Sequence, residues 1–312
     1  MNLFLQMLNL QFAMFILIMI GIIAKKCKIV NGESQKSLSN LLIYFILPCN
    51  IIESFKGEIT TDLISNSLSA FLISVVIQVA SIFLGKLLFA RFSDEMKPVM
   101  KYGLICSNSS FIGLPVINNI YDSIGVLYAS IAQIPIRITM WTSGLSEFAG
   151  RVDENGKKQH AFTKETIKSL IIHPCIVAVF IGLLIMAFHI QLPNCIDRSI
   201  VFMSQCTIPV SMIVIGCILS ECKVSQLFDK AILYFTFIRL LAFPLLVFVL
   251  LKLLKIDSLI IGVSVLLTGM PAGTTTAILA DKYGCDAAFG SRVIFISTMF
   301  SIITIPILCA LF

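Results

Sequence analysis

Apolar and polar positions along this chain separate into long greasy runs joined by short polar connections. Ten of the runs approach the roughly 20 residues that cross a bilayer core. They cover about Phe4–Ala24, Leu38–Phe55, Leu63–Phe89, Val99–Tyr121, Gly125–Phe148, Ile167–Phe188, Ile200–Leu219, Ala231–Leu251, Leu259–Leu279 and Val293–Phe312, numbered here as segments 1 to 10. Only one connection is long and hydrophilic, Arg151 to His160. The pattern predicts an all-α integral membrane protein: a five-helix repeat over 1–150, a cytoplasmic loop over 151–166, and a second five-helix repeat over 167–312.

Two runs are interrupted by polar residues, glycine and proline. Segment 4 carries Ser107-Asn-Ser-Ser-Phe-Ile-Gly-Leu-Pro115, and segment 9 carries Thr268-Gly-Met-Pro-Ala-Gly-Thr-Thr-Thr276. In hydrocarbon an unpaired backbone group costs several kcal/mol, so non-helical backbone survives only within protein or beside water. Paired interruptions in the two halves of a chain point to a central binding site. Pro48 and Asn50 also interrupt segment 2, and Pro209 falls at the matching place in segment 7. Five spans per half is an odd number, so two similar halves must lie upside down relative to each other. The expected fold is therefore a 5+5 inverted repeat in which broken helices 4 and 9 cross, as in sodium/proton antiporters.

Composition fits: apolar residues make up 58% and charged residues 13%, against about 25% charged in soluble domains. Charge placement sets an orientation. Seventeen Lys and Arg lie in or beside the 1–2, 3–4, 5–6, 7–8 and 9–10 connections, and only Lys56, Arg198, Lys252 and Lys255 lie on the other side. The positive-inside rule makes the richer side cytoplasmic, with both termini outside a cell membrane. That bias also accounts for the net charge of +6 without a nucleic-acid partner. The ten cysteines are scattered singly and read as small apolar residues. No basic region with a cleavage site opens the chain, so segment 1 is expected to be retained.

The candidate chemistry is concentrated at the interruptions. Helix N-termini present unpaired N–H groups and partial positive charge, which attract carboxylates. The Asn108 amide can donate to an anion or accept from a protonated acid. Ser109, Ser110, Thr274 and Thr275 add hydroxyls, while Gly113, Pro115, Pro271 and Gly273 shape the backbone; Asn50 joins them as a candidate substrate contact. Arg137 stands in mid-segment 5, where even the mildest scale charges about 2.5–3.5 kcal/mol, so it must face protein or water. It is either an anion ligand or a charge that a proton or substrate must neutralise, or else the partner of an internal acid such as Glu147 or Glu53 or a plain helix-helix hydrogen-bond donor. Arg239, eight residues into segment 8, is expected to snorkel to the cytoplasmic surface. Asp281 and Lys282 are expected at the interface. Neither a metal site nor a catalytic motif is visible, and no cofactor is expected.

Asn108-Ser-Ser-Phe-Ile-Gly113-Leu-Pro115 resembles the fourth-span signature of the auxin efflux carrier family. Pro271-Ala-Gly273 through Ala280-Asp-Lys-Tyr283, then Ser297 to Pro306, is similar to that family's ninth and tenth spans, and Leu47-Pro48 also fits. The resemblance implies elevator-like export or exchange of organic anions, indole acetate in plants and carboxylates such as malate or malonate in bacterial relatives. It makes Asn108 the substrate contact, Pro115 a shaper of the crossing, and a homodimer possible. Thr276 stands where plant carriers have a proline, so the break in segment 9 is expected to be softer or shifted. The short 5–6 loop fits a compact, prokaryote-like carrier. The expected partners are a small organic anion and the lipid bilayer. An anion channel and a sodium-coupled symporter of the bile-acid-carrier type are the alternatives, although no acidic pair stands in mid-membrane to hold sodium.

Overall fold

Helix dominates the computed structural model, which describes residues 3–56, 61–148, 172, 174–220, 229–283 and 285–312. The helices are α1 (Leu3–Lys26), α2 (Gly32–Ser54), α3 (Thr61–Leu88), α4 (Met96–Ile105), α5 (Ser109–Phe148), α6 (Pro174–Ala187), α7 (Asn194–Gln205), α8 (Thr207–Leu219), α9 (Lys230–Leu253), α10 (Ser258–Thr268), α11 (Thr275–Lys282) and α12 (Ala287–Cys309). Among the described residues no strand occurs, only an isolated bridge between Ser107 and Ala272. Among the described residues six stretches are long and apolar enough to cross a membrane, with α6 and α10 as shorter apolar helices. The 151–166 loop and the start of segment 6 lie outside the described residues, as do the Asp281 and Lys282 side chains. Several helices outrun their apolar runs: α2 starts at Gly32 rather than Leu38, and the α7–α8 stretch starts at Asn194 rather than Ile200. Hydropathy marks only greasy residues, whereas a helix continues through polar turns.

Proline explains most of the local irregularity. It donates no N–H, and its ring meets the carbonyl four residues back, so an ordinary α-turn before it is strained. Here the chain widens that turn. Leu47, Leu114 and Phe243, each just before a proline, donate to the carbonyls five residues back, Leu42, Ser109 and Ile238. The π-turns Leu42–Ile46, Ser109–Gly113 and Ile238–Ala242 thus each end two residues before Pro48, Pro115 or Pro244. A fourth, Met140–Gly144, has no such proline. Within α5 the backbone turns at Asp122, φ 51° and ψ −153°, which separates the end of segment 4 from segment 5.

Packing sorts most of the helices into two groups that each draw on both halves of the chain, with contacts of α1 on α12 and of α2 on α5 joining the groups. In one, α1 packs on α8, and α2 packs on α6 and α7; in the other, α3 packs on α4 and α5, α9 on α10 and α12, and α11 on α12. One face of α3 buries Ala70, Ser74, Ile77, Gln78 and Ser81, while Leu68, Leu72, Val76, Phe83 and Leu87 are exposed on another. Such a greasy outer stripe belongs against lipid. The α1–α8 contact depends on two glycines facing backbone: a Cβ on Gly21 would overlap the Ile213 carbonyl, and one on Gly216 would overlap that of Ile18. Small residues let membrane helices approach this closely. Gly216→Ala is expected to destabilise the protein by about 1–3 kcal/mol, as overpacking does. Thermal unfolding in detergent checks it. Gly32→Ala, whose Cβ would meet nothing within 4 Å, is the control that should change little.

Candidate functional site: two helix breaks and the cavity beside them

The two interrupted segments meet backbone to backbone. Helix α4 stops at Ile105, Cys106 is extended (φ −99°, ψ 99°), and helix resumes at Ser109. Ser and Asn side chains compete for backbone partners and weaken a helix where they cluster. The second break runs from Gly269 to Thr274. Asn108 N–H donates to the Pro271 carbonyl (2.8 Å) and Gly273 N–H to that of Cys106 (2.9 Å), setting Ser107 opposite Ala272 in antiparallel sense. Glycine suits the close approach at 273, where a Cβ would stand 2.8 Å from Cys106 Sγ and 3.2 Å from the Cys106 carbonyl oxygen. Ala272 N–H is taken by Ser297 Oγ of α12 at 3.2 Å. Thr276 is buried inside α11, so the lack of proline there leaves the break complete and places it before Thr276, not softened.

Arg239 corrects an expectation. It does not snorkel: it is 2% exposed, with Nε donating to the Met270 carbonyl (3.0 Å) and Nη1 to the Leu104 carbonyl (2.6 Å). Those carbonyls lie at the C-terminal ends of α10 and α4, where unpaired C=O groups and negative partial charge collect. One guanidinium therefore ties two half-helix ends together.

The opposite ends, the N-termini of α5 and α11, border a cavity of about 180 Å³. Its polar wall includes Asn108, Ser110, Arg137, Thr274 and Thr275; Ile43, Leu47, Phe111, Met140 and Trp141 form an apolar wall. Ser110 Oγ accepts from Arg137 Nη2 (2.8 Å) and donates to Gln133 Oε1 (2.9 Å), which Arg137 also approaches at 3.4 Å. Thr275 Oγ1 accepts from Tyr102 Oη at 3.1 Å. Asn108 is 4% exposed and lines the cavity, and its side-chain amide makes no hydrogen bond with any described residue. Glu147, one of the acids considered for Arg137, is instead bonded to Lys101 at 2.9 Å. An anion entering here meets one guanidinium, a free amide and the first N–H groups of two helices, which lack intrahelical acceptors.

Of the residues singled out in the sequence, Asn108, Ser110, Arg137, Gly273, Thr274 and Thr275 line this cavity. Ser109, Gly113 and Pro271 build the crossing itself; Gly113 packs so closely that a Cβ would lie 3.3 Å from both Leu267 and Met270. Asn50 and Pro115 are elsewhere, bordering a second cavity with Glu53. Sequence reasoning passed over Gln133 and Trp141, although both stand one helical turn from Arg137, at spacings of four. That shared face was the available signal.

Fold and site together define a helical, multi-pass membrane protein with a polar cavity at the meeting of two broken helices. Residues 7–309 match the family of membrane transport proteins, and the chain belongs to that family, the one that holds the auxin efflux carriers. Two archaeal relatives are similar over almost their whole length. An uncharacterized transporter of Methanocaldococcus jannaschii is 24% identical over 300 residues, 94% of each chain. Another from Methanothermobacter thermautotrophicus is 24% identical over 307 residues, 95% of each chain.

Proposed function

We propose that the protein is a secondary carrier of small organic anions, carboxylates above all, and that it binds them at Asn108 and Arg137. The observation that carries this reading is the buried, unpartnered Asn108 amide beside a guanidinium and two helix N-termini. Donors held ready in a site of low polarity favour an anion whose own oxygens complete their hydrogen bonds. The antiparallel meeting of Cys106–Asn108 with Pro271–Gly273 supports an inverted 5+5 repeat, because a two-fold axis in the membrane plane would relate the two breaks in that way. The two packing groups support an elevator motion: the cavity lies where α2 and α6 of one group face α5 and the two breaks of the other. The positive-inside bias supports a cell-membrane orientation with both termini outside.

Counterflow in proteoliposomes tests the reading. Vesicles preloaded with malate, malonate, lactate or indole acetate are expected to accumulate the same labelled acid in one case at least, with saturation that an open channel would not show. Asn108→Ala should slow that exchange about tenfold, the worth of one hydrogen bond near 1.4 kcal/mol. It should leave thermal stability unchanged, because the amide bonds no described residue. Folded protein that exchanges none of the acids, or an Asn108→Ala variant that matches wild type, would refute it.

A further inference from the structure

Gln133 stands one turn before Arg137 on α5 and is 3% exposed, without lining the anion cavity itself. Its Oε1 accepts from Ser110 Oγ at 2.9 Å and, at 3.4 Å, from Arg137 Nη2, which also donates to Ser110 Oγ at 2.8 Å. Three groups thus close one triangle, across 27 residues of sequence that the turn at Asp122 brings back together. The amide can lie only one way round, because the reverse would point its N–H2 at the donors of Arg137. In that orientation Nε2 is buried with no hydrogen-bond partner among the described residues. A buried donor left unpaired lowers stability. Packing alone gives no reason for that group, since methionine fills nearly the same space without it.

We propose that Gln133 is a positioning residue for the anion site, holding Ser110 and the Arg137 guanidinium in place with a neutral oxygen. The inference rests on the reading of Arg137 as the anion's charged contact. An arginine side chain has much rotamer freedom, and freedom lost only when substrate arrives is subtracted from affinity. Gln133 completes part of that ordering in the folded protein. Neutrality matters as much as position. A carboxylate at 133 would grip the guanidinium harder but cancel the charge that an incoming anion meets. An apolar side chain would keep the charge and give up the hold on it. The amide does both.

Anion exchange in proteoliposomes tests the proposal, with the thermal midpoint in detergent measured on each variant. Gln133→Met is expected to raise KM about tenfold with kcat little changed, the effect of ordering one long side chain on binding. Its midpoint should stay within about 2 °C of wild type, because the change removes the unpaired Nε2 along with the Oε1 bonds. In an Arg137→Gln background the same substitution should raise KM no further, since Gln133 acts through the guanidinium; a purely structural role would repeat its factor there. Gln133→Glu keeps the shape and the oxygens, and is expected to cut kcat/KM about 100-fold in protein as stable as wild type. It decides alone if Gln133→Met does not fold. A wild-type KM in Gln133→Met, a rise that recurs in Arg137→Gln, or wild-type exchange by Gln133→Glu would each overturn the proposal. Those results leave the anion site standing where wild type exchanges an acid and Arg137→Gln does not. A wild type that exchanges none of the acids removes both.

Discussion

Arg239→Met is expected to lower the thermal midpoint in detergent by on the order of 10 °C, the largest loss of stability any single substitution at the crossing should cause. The argument is one of accounting. Helices α4 and α10 end inside the protein, and each leaves carbonyls that no residue of its own helix can satisfy. The guanidinium meets two of them, the Leu104 and Met270 carbonyls, at 2.6 and 3.0 Å. Bonds from a charged donor are worth about 1.5–3 kcal/mol each, and the oxygens left behind are buried acceptors that lose that donor. The positive charge also cancels the negative ends of both helix dipoles. Arg239→Lys should recover only part of the loss, because an ammonium is a point donor that does not reproduce the planar fork spanning two carbonyls. A midpoint in Arg239→Met equal to wild type would show that the half-helix ends are satisfied without it.

Arg239 also shows where sequence reading stops. Its distance from the segment end suits snorkelling, and nothing nearby in the chain says otherwise. What fixes the side chain is a need created far away, by carbonyls 135 and 31 residues distant in sequence. The breaks themselves were legible, because Gly, Pro and clustered Ser, Asn and Thr act on the backbone locally. So was the company of Asn108 with Arg137: both had to avoid lipid, and the crossing offers one polar cavity to the N-terminal half-helix ends. Asn50 shows the converse. Its polarity in an apolar run marked it as meaningful, but a run of apolar residues does not say which side of a crossing a side chain will face. It borders Glu53 and Asp122 instead. The π-turns before Pro48, Pro115 and Pro244 relieve the missing N–H and ring clash of proline, but Pro135 and Pro306 lie inside α-helix without one, so proline alone does not mark where the turn widens.

Arg137→Gln is expected to reduce kcat/KM for anion exchange by about 100-fold, the cost of removing the charged partner from a hydrogen-bonded, desolvated ion contact. Among the described residues Arg137 is the one Lys or Arg lining the 180 Å³ cavity, whose other wall is Ile43, Leu47, Phe111, Met140 and Trp141. An anion entering such a space gives up water on every side, and neutral donors offset only part of that loss. Glutamine keeps a donor for Ser110 but no charge, so the damage should fall on substrate binding and appear mainly as a raised KM. Arg137→Lys retains the charge without the fork, and its exchange rate should lie between the two. The competing role for Arg137 is packing alone, tying Ser110 and Gln133 to the start of α5. Packing predicts a different pattern: Gln and Lys would impair folding alike, and whatever folded would keep its KM. A raised KM in folded Arg137→Gln, eased in Arg137→Lys, follows only if the guanidinium meets the anion.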